Sequence, residues 1–183
     1  MNLRSFHMRV LKILVMACVT LLSLTSCISE GGDDYQAPVM LDPGTDAPDF
    51  TIDTDGEGGG YALSSLRGRY VFLEFWASWC PDCQSVTDRV THLHDTYASE
   101  SLVFLGVSFD HTREELLDYA TAHGMDWAHQ WEPAGMSGSS VAQAYGVRWI
   151  PTFYLIDPEG KVVKGSVEIG EMETLLHDMS DRF

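Results

Sequence analysis

Apolar positions along this chain gather in short runs, separated by polar stretches with helical spacing. Tyr70–Trp76 reads Tyr-Val-Phe-Leu-Glu-Phe-Trp, a near-continuous apolar run typical of a strand covered on both faces. Residues 102–109 form a second such run. Between them Val86, Val90, Leu93 and Tyr97 recur at i, i+4, i+7 and i+11, which is one helical face. Residues 112–123 predict another helix, with Thr112 as N-cap and Glu114 and Glu115 in its first turn. Residues 139–145 predict a short helix stopped by Gly146. Two strands, 153–156 and Val162–Ser166, are joined through Asp157-Pro158-Glu159-Gly160, a spacing that suits a hairpin. A short strand at 49–52 leads into a glycine-rich turn at 55–60, and a helix at 171–179 closes the chain. The order β-β-α-β-α-(α)-β-β-α predicts an α/β fold with a central mixed sheet flanked by helices, behind an N-terminal extension. No internal repeat is visible.

The extension reads as an address. Arg4, Arg9 and Lys12 precede an apolar stretch from Ile13 to Leu24 that is broken only by Thr20 and Ser23. A spanning helix needs roughly 20 apolar residues, so residues 1–26 fit a secretory signal better than a membrane span. The stretch ends in Leu24-Thr25-Ser26-Cys27, which looks like a bacterial lipobox. Cys27 would then become the lipid-modified first residue of the mature chain, held to a membrane by its acyl chains. The competing reading is an ordinary signal with an incidental cysteine. Residues 27–45 hold Gly31-Gly32, Asp33-Asp34, Pro38 and Pro43 and read as a flexible linker. Its acids resemble the surface-export signals of Bacteroidetes-type lipoproteins; a plain spacer is the alternative. The folded domain is expected over residues 46–183.

The 183 residues suffice for one domain of ordinary size, and 45% hydrophobic residues suffice for its core. Eleven Lys and Arg stand against 27 Asp and Glu, a net charge of −16. Without residues 1–26 the balance is eight against 27, a net charge of −19. A body that acidic repels phosphate backbones, so a nucleic-acid partner is not expected.

Four cysteines are too few for a disulfide-stapled miniprotein. Cys18 falls in the signal and Cys27 at the anchor, which leaves Cys80 and Cys83 for chemistry. They sit in Trp79-Cys80-Pro81-Asp82-Cys83, between the apolar run ending at Trp76 and the helix that follows. A helix N-terminus offers free N–H groups and partial positive charge, which stabilise a thiolate at Cys80. Pro81 suits the first turn, where its missing N–H costs nothing. Cys83 lies one turn further in. The pair therefore supplies an attacking and a resolving thiol for disulfide exchange. Asp82 places a negative charge beside them, expected to oppose the thiolate and favour a reducing couple. Three other readings compete. A zinc site would need further ligands, for which His92, His94 and His111 are the substitutes. A passive disulfide across so short a loop would add little stability. A cysteine hydrolase would leave the second cysteine unexplained.

With these residues in view, the sequence resembles the TlpA-like extracytoplasmic thioredoxin family. The resemblance rests on Ala47-Pro48-Asp49-Phe50, Leu63-Ser64-Ser65-Leu66-Arg67-Gly68, Phe75-Trp76-Ala77-Ser78-Trp79-Cys80-Pro81-Asp82-Cys83 and Tyr145-Gly146-Val147-Arg148-Trp149-Ile150-Pro151-Thr152-Phe153. It implies a thioredoxin-like fold and thiol–disulfide oxidoreductase activity. It also implies that Pro151 is a cis-proline facing the cysteines, rather than a strand-start proline. The backbone of Ile150 would then be free to pair with an extended substrate. Glu74, the single charge in its run, resembles the buried acid that moves the proton of the second cysteine; a strand-edge Glu reaching solvent is the alternative. Trp79, Pro81 and Ile150 are the expected substrate contacts.

The resemblance frays after the motif. Many relatives carry a Glu three residues beyond the second cysteine and a Pro two further on, where this chain has Val86 and Asp88. That weakens any cytochrome c role. A peroxiredoxin would need Pro and Thr before its cysteine, where this chain has Ala77-Ser78-Trp79. Trp76 and Trp79 are expected to shield the disulfide. Trp127, Trp131 and Trp149 line either core or groove, and the histidines are read as surface groups. The resulting expectation is a lipid-anchored reductase of exported, disulfide-containing proteins. A membrane thiol-transfer donor would feed it, and no cofactor beyond the Cys80–Cys83 pair would be needed. A docking lipoprotein with an idle disulfide is the alternative.

Overall fold

The computed structural model describes residues 39–53 and 59–183. The signal segment, Cys27 and most of the glycine-rich turn lie outside the described residues. The two apolar runs become the centre of the sheet, β3 (Tyr70–Trp76) and β4 (Leu102–Ser108), which pair in parallel. The hairpin strands β6 (Thr152–Ile156) and β7 (Val162–Ser166) add antiparallel on the other side of β3. The five-stranded order is β5-β4-β3-β6-β7, a mixed sheet as the element order predicts.

Two strands escape the sequence pattern. β2 (Gly60–Ala62) pairs antiparallel with β1 (Thr51–Asp53) in a separate small sheet. β5 (Ala128–Trp131) adds in parallel to β4 as an edge. Three residues carry no periodicity, and Ala-His-Gln-Trp is half-buried throughout, so neither shows the alternation that marks a strand.

Four helices follow their expected positions, α1 (Pro81–Tyr97), α2 (Arg113–Ala122), α4 (Ser140–Ala144) and α5 (Ile169–Asp178); the one-turn α3 (Gly135–Gly138) is an addition that the sequence pattern does not predict. Thr112 caps α2 in a full capping box with Glu115, and Gly146 ends α4 at φ +67. α1 runs unbroken through Asp88. Val90 and Leu93 of α1 and Ile169, Met172 and Leu176 of α5 pack on Phe72, Phe104, Phe153 and Leu155. The opposite face of β3 presents Phe75 to Tyr145, with ring centroids 5.3 Å apart. Part of the segment read as linker is held by the domain. Leu41 N–H donates to Tyr154 Oη at 3.2 Å, and Gly44 and Thr45 exchange backbone bonds with Val162 at 2.8 and 2.9 Å.

Candidate functional site

The C-terminal ends of β3 and β4 and the N-terminus of α1 converge, which brings residues from separate parts of the chain around Cys80. Cys80 is the N-cap of α1, and its Sγ accepts the Cys83 N–H at 3.2 Å. Pro81 occupies the first helical turn. The Cys80 thiol donates to the Ile150 carbonyl at 3.5 Å, and the Ile150–Pro151 bond is cis. The structure therefore brings Cys80, Cys83, Pro81, Ile150 and Pro151 together. The two thiols are unbridged, and their residues are only 5% and 2% exposed.

Glu74 is no edge residue reaching solvent. It is 3% exposed, and its Oε2 has no hydrogen-bond partner. Burial raises its pKa to about 8. Burial also pushes the Cys83 thiol well above its ordinary value; the Cys80 hydrogen bond and the negative charges of Cys80 and Glu74 add to this, while the Ala77 N–H opposes it. Cys83 thus holds its proton at neutral pH. A base is needed to free it, and a carboxyl tuned near neutrality is suited to that transfer.

One supporting residue had no place in the sequence reading. Asp110 is buried at the end of β4, where its carboxylate accepts from Ser78 N at 2.9 Å, Ser78 Oγ at 2.7 Å and Ser108 Oγ at 2.7 Å. Gln84 Nε2 donates to the Ser78 carbonyl at 2.6 Å. These bonds fix the turn that delivers Cys80. The available signal was a lone acid directly after the apolar run 102–109, at the carboxyl end of a central strand.

The tryptophans separate into distinct environments. Trp76 is buried, whereas Trp79 is 48% exposed and is steadied by an indole bond to the Phe109 carbonyl at 3.2 Å and by contact with His111. Trp149, just before Ile150, is 52% exposed. Trp127 and Trp131 are half-buried and pack against the core; Trp131 Nε1 donates to the Asp110 carbonyl at 2.9 Å. The reading of all histidines as surface groups fails at His129, whose Nδ1 is sealed inside the protein. Burial lowers its pKa to about 4. The ring is enclosed because β5 lays it against Gly106, and β5 carries no strand pattern in the sequence. Among the described residues, no group of three or more His, Cys, Asp or Glu side chains is placed to hold a metal ion.

A dithiol at a helix N-terminus beside a cis-proline and above a buried acid, on a thioredoxin-like sheet, defines a thiol–disulfide oxidoreductase. The AhpC/TSA family model matches residues 43–164, and the chain belongs to that family. It is 28% identical over 167 residues to the thiol-disulfide oxidoreductase ResA of Bacillus subtilis, covering 91% of this chain and 86% of that protein. A thiol-disulfide oxidoreductase from Bacteroides fragilis superposes with a TM-score of 0.62 at 27% identity, over 72% of this chain and 100% of that one. The thioredoxin domain of a Bacteroides vulgatus oxidoreductase shares the fold, with a TM-score of 0.67 at 22% identity over 76% and 99% of the two chains.

Proposed function

We propose that this protein is a lipid-anchored disulfide reductase of the bacterial cell envelope that acts on exported proteins. The observation that carries the reading is the placement of Cys80. Its Sγ caps α1, receives an N–H from Cys83 and lies beside the Ile150 carbonyl. In the proposed reaction the Cys80 thiolate attacks one sulfur of a substrate disulfide, and the other sulfur leaves and takes a proton from solvent. The Cys83 thiol then gives its proton to Glu74 in its ionised form, which is the minor form below about pH 8. The resulting thiolate attacks Cys80 Sγ, which breaks the mixed disulfide, and the second substrate sulfur leaves and takes a proton from solvent. Two electrons pass to the substrate, and the Cys80–Cys83 disulfide remains.

The two sulfurs carry the electrons, so the reaction needs no soluble cofactor. A membrane thiol-transfer protein would return the pair to the dithiol. The substrate chain would lie along Ile150 and Pro151, with Trp79 and Pro81 at its flank. Anchoring through Cys27 rests on the lipobox-like tetrapeptide. Among the described residues no helix is long and apolar enough to cross a membrane.

The deciding measurement is the reduction potential of the Cys80–Cys83 couple in a thiol buffer. A value near about −270 mV, the thioredoxin end of the scale, is expected. A value near about −120 mV belongs to an oxidant and would overturn the direction of the reaction. In parallel, Cys83→Ser should trap mixed disulfides with exported proteins, whereas Cys80→Ser should trap none.

A further inference from the structure

Among the described residues, the buried side-chain nitrogen and oxygen atoms left without a partner are Glu74 Oε2, Trp76 Nε1 and His129 Nδ1. All three belong to one face of the sheet. Glu74 of β3 pairs with Gly106 of β4, and Gly106 pairs with His129 of β5. Trp76 lies two residues along β3 from Glu74, on the same face. Gly106 has no side chain, and the edge of the His129 ring fills the space this leaves. A Cβ on Gly106 would lie 2.1 Å from His129 Nδ1 and 2.9 Å from Trp76 Nε1. The two nitrogens are therefore close enough for one water to bridge. Glu74 stands directly across from Gly106 on the neighbouring strand, the two backbones about 4.8 Å apart.

The chemistry of the three atoms is complementary. His129 Nε2 lies 3.2 Å from the Met125 carbonyl, which can only accept, so Nε2 carries the proton and Nδ1 is a bare acceptor. The Trp76 indole can only donate, and an ionised Glu74 can only accept. One water meets all three needs: it accepts from Trp76 and donates to His129 and Glu74. Buried waters typically make about three such bonds, and unpaired buried polar atoms are rare in folded proteins.

We propose that one water is held between Trp76 Nε1, His129 Nδ1 and the Glu74 carboxyl, beside the bare backbone of Gly106, and that His129 is a positioning residue for that carboxyl. The water site stands on the strand register and on the three unpartnered atoms. Its consequence for turnover rests on the exchange reaction proposed above. The water gives the carboxylate a donor and so eases its ionisation. After Glu74 takes the Cys83 proton, its O–H can donate to the water's remaining lone pair, so no group is stranded in either charge state. The other titratable groups around this water site are Cys80 and Cys83 from α1, Asp110 from the end of β4, Arg113 from α2 across the groove it shares with His129, and His94 of α1, whose ring lies tilted against Trp127. α5 presents Ile169, Met172 and Leu176 to its side of the core, and β6 sets Phe153 opposite Glu74. The low basicity of His129 keeps it a neutral acceptor over the working pH range.

The test is a pH titration by NMR of the full chain, reading the Glu74 side-chain carboxyl carbon and the Trp76 indole N–H. In the wild type both signals should move with one shared midpoint. His129→Leu should raise the Glu74 midpoint by about one unit and uncouple the Trp76 signal. His129→Asn keeps an acceptor and should restore both. A Trp76 signal that stays flat through the Glu74 titration would overturn the proposal, as would a natively folded His129→Leu with an unchanged midpoint. If His129→Leu does not fold, the wild-type coupling and the His129→Asn midpoint decide. Exchange activity of Glu74→Gln separates this proposal from the catalytic one. Wild-type turnover at every pH would remove the proton role of Glu74, while the spectra still decide the water site.

Discussion

Replacing Glu74 by Gln should make the fold more stable, and the gain should grow with pH. In the unfolded chain Glu74 titrates near its ordinary 4.5, whereas in the fold burial moves it to about 8. Below the lower value both states hold the proton, and the residue has no pH-dependent effect. Between the two values the native state keeps a proton that the unfolded state has released. Stability then falls as pH rises, by about 1.4 kcal/mol per pH unit. From pH 5 to pH 8 the wild type should lose roughly 3–4 kcal/mol through this one group. A hydrogen-bond donor reaching the carboxylate trims that figure, so it is an upper bound. Gln has the shape of the neutral acid and cannot ionise, so the variant should escape the loss. The assay is urea unfolding of the reduced protein at pH 5 and pH 8, followed by tryptophan fluorescence. The difference between variant and wild type should widen by several kcal/mol from the lower pH to the higher. A difference that stays constant within about 1 kcal/mol would refute the reasoning, because Glu74 would then be ionised in the fold at no cost.

Asp110→Ala should lower stability by roughly 3 kcal/mol, since it strands the Ser78 N–H and two hydroxyls in a buried site. It should also slow disulfide exchange by loosening the turn before Cys80; unchanged urea midpoint and rate would count against the anchoring role. Trp149→Ala should leave the melting temperature unchanged, because the ring is half exposed, and should raise KM for a peptide disulfide about five-fold with kcat preserved. Equal KM values would remove Trp149 from the substrate surface. Phe72→Ala should cost about 3–5 kcal/mol in chemical denaturation, because it opens a cavity between Phe104 and Phe153.

The legible parts of the fold were those with strong local signals. Tyr70–Trp76 was visible because a central strand covered on both faces must be apolar nearly throughout. α2 was visible through its cap, and the β6–β7 turn through its Pro and Gly. β5 was not, because an edge strand whose four residues are all half-buried shows neither alternation nor a continuous apolar run. That omission also hid His129, whose burial depends on β5 lying beside Gly106. Asp110 was missed for a related reason. Its place after the apolar run marks the carboxyl end of a strand, but names no partner until the parallel pairing of β3 and β4 sets it beside Ser78.

By itself the sequence determined the chemical repertoire. Two cysteines one helical turn apart, after a buried strand and at the start of an amphipathic helix, are a local arrangement that adjacent residues can specify. The lone Glu inside an apolar run marked itself by its cost. The tertiary structure decided how those groups are tuned. Crossovers through α1 and the later helices bring residues 74, 80, 106, 110, 129 and 150 to one end of the sheet, and no local pattern encodes their contacts. A pKa depends on which groups exclude water from the site, and only the packed sheet and helices supply those groups.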